Sequence, residues 1–258
     1  MKRASYNTTK SLVLGTPLPT ETRTYKPVSH EQLIDLTLNS IEKAGFQLDK
    51  ELYTWSNNGN IATGRYTINN VADSEMQLQI GWQNSYDKSV SLKFAIGTHI
   101  MICSNGCVSG DYGAFKRKHV GTVQEFAPTA ITEYIKQASD AFTKIQKERE
   151  TMKQIEADKR VTAELVGRLF LEEKLINSLQ LNIIAKEIEA PSFDYNCTGS
   201  MWELYNHVTH ALKESSPRFS MSDHIRAHSF FVNASGILVT PTEISVPTPG
   251  QLEQLELF

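Results

Sequence analysis

The sequence predicts an α+β protein: a helix, an antiparallel sheet, a long helix packed across one face of that sheet, and a smaller helical part toward the C-terminus. Three observations predict it. Apolar residues recur at helical spacing over 30–44, alternate in stretches between Leu52 and Thr122, and return to a seven-residue spacing after Pro128. Hydrophobic residues make up 40% of 258, enough for a sizeable core, so a wholly disordered chain is excluded.

Residues 1–28 read as an extended arm, because Pro17, Pro19 and Pro27 fix their own backbone and hold the preceding residues out of helix. The α+β core is expected over 29–160. Ser29 with Gln32 three positions on is capping-box chemistry, Leu33, Ile34, Ile41 and Ala44 make one apolar face, and Gly45 stops the helix. The segments 61–68 (IATGRYTI), 76–82 (MQLQIGW) and 90–96 (VSLKFAI) then alternate, with Asn57 to Asn60 as a hairpin turn. Five to seven antiparallel strands are expected, covered on one side only unless a ligand or another subunit lies on the polar side.

Ile131, Ala138, Ile145 and Met152, with Tyr134, Ala141 and Ile155 on the flanking seam, predict one long helix after Pro128, running to about Lys159. The seam is expected to pack on the sheet; pairing with a second copy, and so a homo-oligomer, is the alternative. Lys144, Lys147, Glu148, Arg149, Glu150 and Lys153 mix signs on the other face and read as solvated. Helices over 161–175, 178–189 and 200–214 fill a helical part at 161–235, and 236–258, with its prolines, reads as a tail or an edge strand at most.

A net charge of −3 argues against a protein that coats nucleic acid through charge alone. No run reaches the roughly eighteen apolar residues of a membrane span, and Met1 to Thr20 lacks a signal-peptide core. Three cysteines cannot all pair, and Cys103 and Cys107 are spaced poorly for zinc, so reduced thiols in a bacterial cytosol are expected.

Local chemistry is sparse. Lys116, Arg117, Lys118 and His119 form the densest positive cluster, beside Tyr112 and Phe115, and cations next to aromatic rings are how a single-strand groove couples phosphate contacts to base stacking. Lys88 and Lys93 flank the turn at Asn84-Ser85-Tyr86-Asp87 and join them as nucleic-acid candidates, although Asn, Ser and Asp there also serve turn backbone groups. His207 with His210, and His224 with His228, have ligand-pair spacings that Asp223 or Cys197 could complete, but such pairs are common by accident. No nucleophile elbow, phosphate-binding glycine loop or zinc-protease motif is present, so no catalytic residue, metal or cofactor is assigned.

Asn84-Ser85-Tyr86-Asp87-Lys88-Ser89, Gly97, the segment Ile102 to Gly106, Arg117-Lys118-His119, Leu12 to Tyr25 and Met201 to Thr209 together resemble the phage and plasmid proteins labelled domain of unknown function 932. That family carries an Asn-Ser-His-Asp-type turn, a Cys-Ser/Thr-Asn-Gly turn and a Trp-x-x-Tyr/Phe-Asn-x-Val helix. Here Tyr86 stands for the usual His, and His207 for a small residue, which removes any role needing imidazole at 86. The resemblance implies an accessory gene of a mobile element, beside replication, recombination and anti-defence functions, and no particular reaction.

The last five residues, Gln254-Leu255-Glu256-Leu257-Phe258, resemble the peptide by which bacterial polymerases and repair proteins bind the DNA polymerase sliding clamp. Pro247, Pro249 and Gly250 form a tether, leaving Gln254 to hydrogen-bond and Leu255, Leu257 and Phe258 to anchor in a foreign pocket. The other reading is a terminus docked on its own core. Two functions follow: a replication or recombination accessory factor that binds single-stranded DNA and is recruited by the clamp, or a non-enzymatic inhibitor that blocks the clamp or a defence complex without touching DNA.

Overall fold

Seven antiparallel strands frame the molecule, as seen in a computed structural model that describes residues 6–56, 58–69, 73–101, 106–108, 114–216 and 218–236. Strands β1 (Tyr6–Thr8), β2 (Leu48–Ser56), β3 (Ile61–Ile68), β4 (Met76–Ser85), β5 (Leu92–Ile100) and β6 (Gly106–Val108) lie side by side in chain order. β7 (Ala114–Arg117) pairs with the same edge of β5 as β6 does. Between Val108 opposite Gly97 and Ala114 opposite Ala95, the edge segment advances six positions while β5 advances two, so β6 and β7 are one edge strand interrupted by an insertion.

One face of this sheet is the core. Tyr53, Gly64, Trp82 and Phe94 stand opposite one another in a cross-strand row, and the next row holds Glu51, Tyr66, Ile80 and Ile96. The indole of Trp82 occupies the space that a side chain at Gly64 would take: a Cβ there would fall 2.6 Å from the ring. Trp82 Nε1 then donates to the Tyr66 hydroxyl at 3.1 Å, Tyr66 lies 3.3 Å from the Tyr53 hydroxyl, and Tyr53 donates to Glu51 at 2.8 Å. The relay runs from the buried indole to a carboxylate at the sheet margin, so no buried polar tip along it lacks a partner.

Helix α2 (His30–Lys43) starts as predicted: Ser29 accepts from the Gln32 amide and Gln32 reaches back to the Ser29 amide, while Gly45 stands at φ +77° beyond the end. The segment expected as an extended arm holds two short elements, β1 and α1 (Lys10–Leu14), the latter capped by Thr9. Three and five residues are too few to show a period.

The single long helix is a misreading. It is two helices, α3 (Val123–Lys136) and α4 (Ala138–Gln154), broken at Gln137, and α3 begins five residues before Pro128 and contains it. Pro128 has no amide to donate to the Gln124 carbonyl, so α3 runs through it with one backbone bond missing. The seam itself is continuous across the break: Ile131, Ala138, Ile145 and Met152 are all buried, and α4 packs on β4 and β5, so the sheet is the partner. The break lets the two halves follow a sheet whose twist one straight helix would leave.

The charged face of α4 is also not merely solvated. Arg149 donates to both carboxylate oxygens of Asp73, at 3.0 and 2.9 Å, Lys153 pairs with Glu75, and Glu148 is buried against His228. Burial alone would raise the Asp73 carboxyl, but hydrogen bonds from Arg149, Gln146 and two backbone amides hold it at about 2. These contacts pin the chain just ahead of β4.

Helices α5 (Lys159–Leu171), α6 (Ser178–Glu189), α7 (Met201–Ala211) and α8 (Ser220–Ala234) complete the fold, with a 3-10 turn at Leu212–Glu214. Helix α7 packs on α4, α6 and α8, and α8 also runs against β6. No helix among the described residues is long and apolar enough to cross a membrane.

Candidate nucleic-acid interface

The second face of the sheet is polar, and its side chains follow from the register. One row holds Thr54, Thr63, Gln83, Lys93 and Lys116; the next holds Leu52, Arg65, Gly81, Ala95 and Ala114. Lys50, Thr67, Gln79 and Gly97 make a third row, and Gln77 with His99 a fourth. The small residues of the second row form a trough, into which Met221 of α8 drops its methyl group, 3.5 Å from where a Cβ on Gly81 would stand. Arg65, Lys50 and Lys116 are exposed, and Thr63, Gln77, Gln79 and His99 half-buried, so the face beyond Met221 reaches solvent. His99 is less basic than an ordinary imidazole, first through burial and then through the charges of Arg65, Lys50 and Lys213.

Of the described residues singled out from sequence, Lys116 is exposed on this face, with Lys93 beside it. Lys93 itself is buried and committed: Nζ donates to Gln83 Oε1 at 3.1 Å, the Arg218 carbonyl at 3.2 Å and Ser222 Oγ at 2.8 Å. Burial, followed by the charges of Lys116 and Arg218, lowers it to about 8. These bonds fasten the start of α8 onto the sheet. Lys88, at φ +60°, lays its ammonium over the Tyr25 ring, 4.4 Å from the centroid. Arg117 alternates to the other side and covers Phe126 at 4.2 Å, while Lys118 is exposed beyond the strand. His119 is buried edge-on to Tyr25, and burial lowers its pKa. Tyr112 and the set Gln254, Leu255, Leu257 and Phe258 lie outside the described residues, as do the side chains of Cys103 and Cys107.

Lys50, Arg65, His99 and Arg218 escaped the sequence reading because each is isolated in the chain. Only the strand register gathers the first three, and only the fold of α8 adds the fourth; the alternation through 61–68 was the available signal.

The Asn84 turn is a buried lock. Asn84 Nδ2 donates to the Val28 carbonyl at 2.8 Å and to His30 Nδ1 at 3.1 Å, and His30 Nε2 meets the Gly59 carbonyl at 3.1 Å. A carbonyl only accepts, so the proton sits on Nε2 and the ring is neutral; burial lowers His30 to about 4. The Tyr86 hydroxyl accepts from the His30 amide at 2.7 Å, and the Tyr86 carbonyl accepts from the Tyr25 hydroxyl at 2.9 Å. Ser85 and Asp87 are taken up within the turn. These groups join the residues before α2 to the β4–β5 hairpin.

The histidine pairs go separate ways. His207 Nδ1 and His210 Nε2 each lie 3.8 Å from a Glu187 oxygen, whereas His228 Nε2 meets Glu148 at 2.9 Å with the Tyr205 hydroxyl 3.5 Å from its other nitrogen. Among the described residues no three His, Cys, Asp or Glu side chains stand where they could hold one metal ion. Burial raises the Cys197 thiol.

A cleft of about 400 Å³ lies where Lys174 to Asn177 ahead of α6 meets Ser215, Phe219, Asp223 and Arg226 around the start of α8. Gln180 and Ser215 hold its wall together at 3.0 Å.

No curated protein and no solved structure matches the chain. The family model described as Domain of unknown function (DUF932) matches residues 17–230, a span that takes in the Asn84 lock, the polar sheet face and helix α7. The chain therefore belongs to the DUF932 family.

Proposed function

We propose that the protein is an accessory factor of DNA replication or recombination from a phage or plasmid, which binds single-stranded DNA across its polar sheet face and is recruited by the host sliding clamp through Gln254, Leu255, Leu257 and Phe258. The observation that carries the first half is the register that sets Lys50, Arg65, His99 and Lys116 on one face, among threonine and glutamine side chains. Lys50, Arg65 and Lys116 around a polar sheet suit a ligand with a charged backbone and no fixed sequence. The reading does not need a basic protein overall, since the charge is local.

A gel shift with labelled single-stranded DNA, run on the full chain and on a chain lacking 247–258, tests it. Both forms should bind, and Arg65→Ala with Lys116→Ala should weaken binding and reduce the salt slope by roughly 0.7 per lost phosphate contact. Binding by neither form moves the weight to the rival: a protein-binding inhibitor that does not contact DNA. The exposed leucines of the N-terminal arm, Leu12, Leu14 and Leu18, favour that second reading, being apolar surface of the kind that meets protein.

A further inference from the structure

We propose that the cleft between α6 and α8 receives one unstacked nucleobase of the bound strand, stacked on Phe219. This deepens the single-strand reading and rests on it. The segment that carries Phe219 is fastened to the polar face: Lys93 binds the Arg218 carbonyl and the Ser222 hydroxyl, and Lys93 stands opposite Lys116.

The dimensions and chemistry of the cleft suit one base. Small-molecule sites span roughly 300–1,000 Å³, and about 400 Å³ is at the lower end, room for a single nucleotide-sized group. Phe219 is 52% exposed, an unusual position for a large aromatic ring, with the Arg218 guanidinium 5.3 Å from its centroid. Lys174, Arg226 and Glu214 are exposed on the lining, with Arg226 paired to Glu173, whereas Asp223 is half-buried and hydrogen-bonded to Ser215. Carboxylates at the rim and in the wall repel a phosphate, and the half-buried Asp223 can accept from the amino edge of a base, so the base enters and its phosphates stay outside.

The test uses the full chain, a fluorescein-labelled single-stranded oligonucleotide of mixed sequence and fluorescence anisotropy. Phe219→Ala should bind about ten-fold more weakly, the loss of one stacked base, with an unchanged melting temperature because the ring is half in solvent. Phe219→Trp should keep the native affinity and lose emission, relative to the native protein, when the strand binds. Native affinity in the alanine variant, or no added quenching in the tryptophan variant, overturns the base site and leaves the sheet-face reading standing. No binding by the native chain overturns both.

Discussion

The imidazole of His30 lies flat on the phenol ring of Tyr86, with centroids 3.9 Å apart and planes within 9°. His30 opens α2 and Tyr86 follows β4, so one stacked pair ties the first long helix to the β4–β5 hairpin.

That ring should make stability depend on mild acid. Burial holds folded His30 at about 4 against an ordinary 6.5, so the unfolded chain takes up the proton first. The contribution is full above pH 6.5 and is lost as pH falls from 6.5 toward 4, by roughly 3 kcal/mol at 1.36 kcal/mol per unit. Urea titrations across that window should give a flatter dependence for His30→Gln, which keeps a donor for the Gly59 carbonyl. An unchanged pH slope in that variant would assign the effect to other groups.

Gly64→Ala should destabilise the protein by about 1–3 kcal/mol, the usual cost of overpacking a filled core. The added methyl meets the Trp82 ring at 2.6 Å, and that ring cannot retreat without losing its bond to Tyr66. Thermal denaturation measures the loss, and tryptophan emission should shift with it.

Asp73→Asn should leave Arg149, only 10% exposed at its side chain, with Glu75 and Glu150 as remaining partners. The cost should therefore stay below the roughly 3–5 kcal/mol of breaking a lone buried pair. A double-mutant cycle with Arg149→Met should return a coupling of about 1 kcal/mol or more. Because the folded Asp73 pKa is depressed, its contribution is present above 3.8 and disappears as pH falls toward 2, below the His30 window.

Replacing Gln254, Leu257 and Phe258 by Ala should abolish capture of the protein by immobilised sliding clamp while leaving the melting temperature unchanged. A lowered melting temperature would instead mean that these side chains cover the protein's own core.

Much of the fold was legible because it is written in short-range chemistry. Ser29 and Gln32 announce α2, and Ile131, Ala138, Ile145 and Met152 mark the buried seam wherever the helix breaks. The break at Gln137 was not legible, since the seven-residue spacing passes through it undisturbed. Nor was the fate of Arg149 and Lys93, whose partners lie far away in the chain. Of the candidate interface, Lys116 was found by local charge density, but Lys50, Arg65 and His99 share a face only after four strands have paired, information that no window of sequence contains.

The interrupted edge strand also bears on how this protein can assemble. Strand addition needs a run of evenly spaced amides and carbonyls along a border. At one border of the sheet the described strand is three residues long, and at the other β6 and β7 are out of step by a four-residue insertion. Among the described residues neither outermost strand is a long unbroken template, so pairing of an incoming peptide onto β1, β6 or β7 is discouraged and the broad faces are open places for partners to settle.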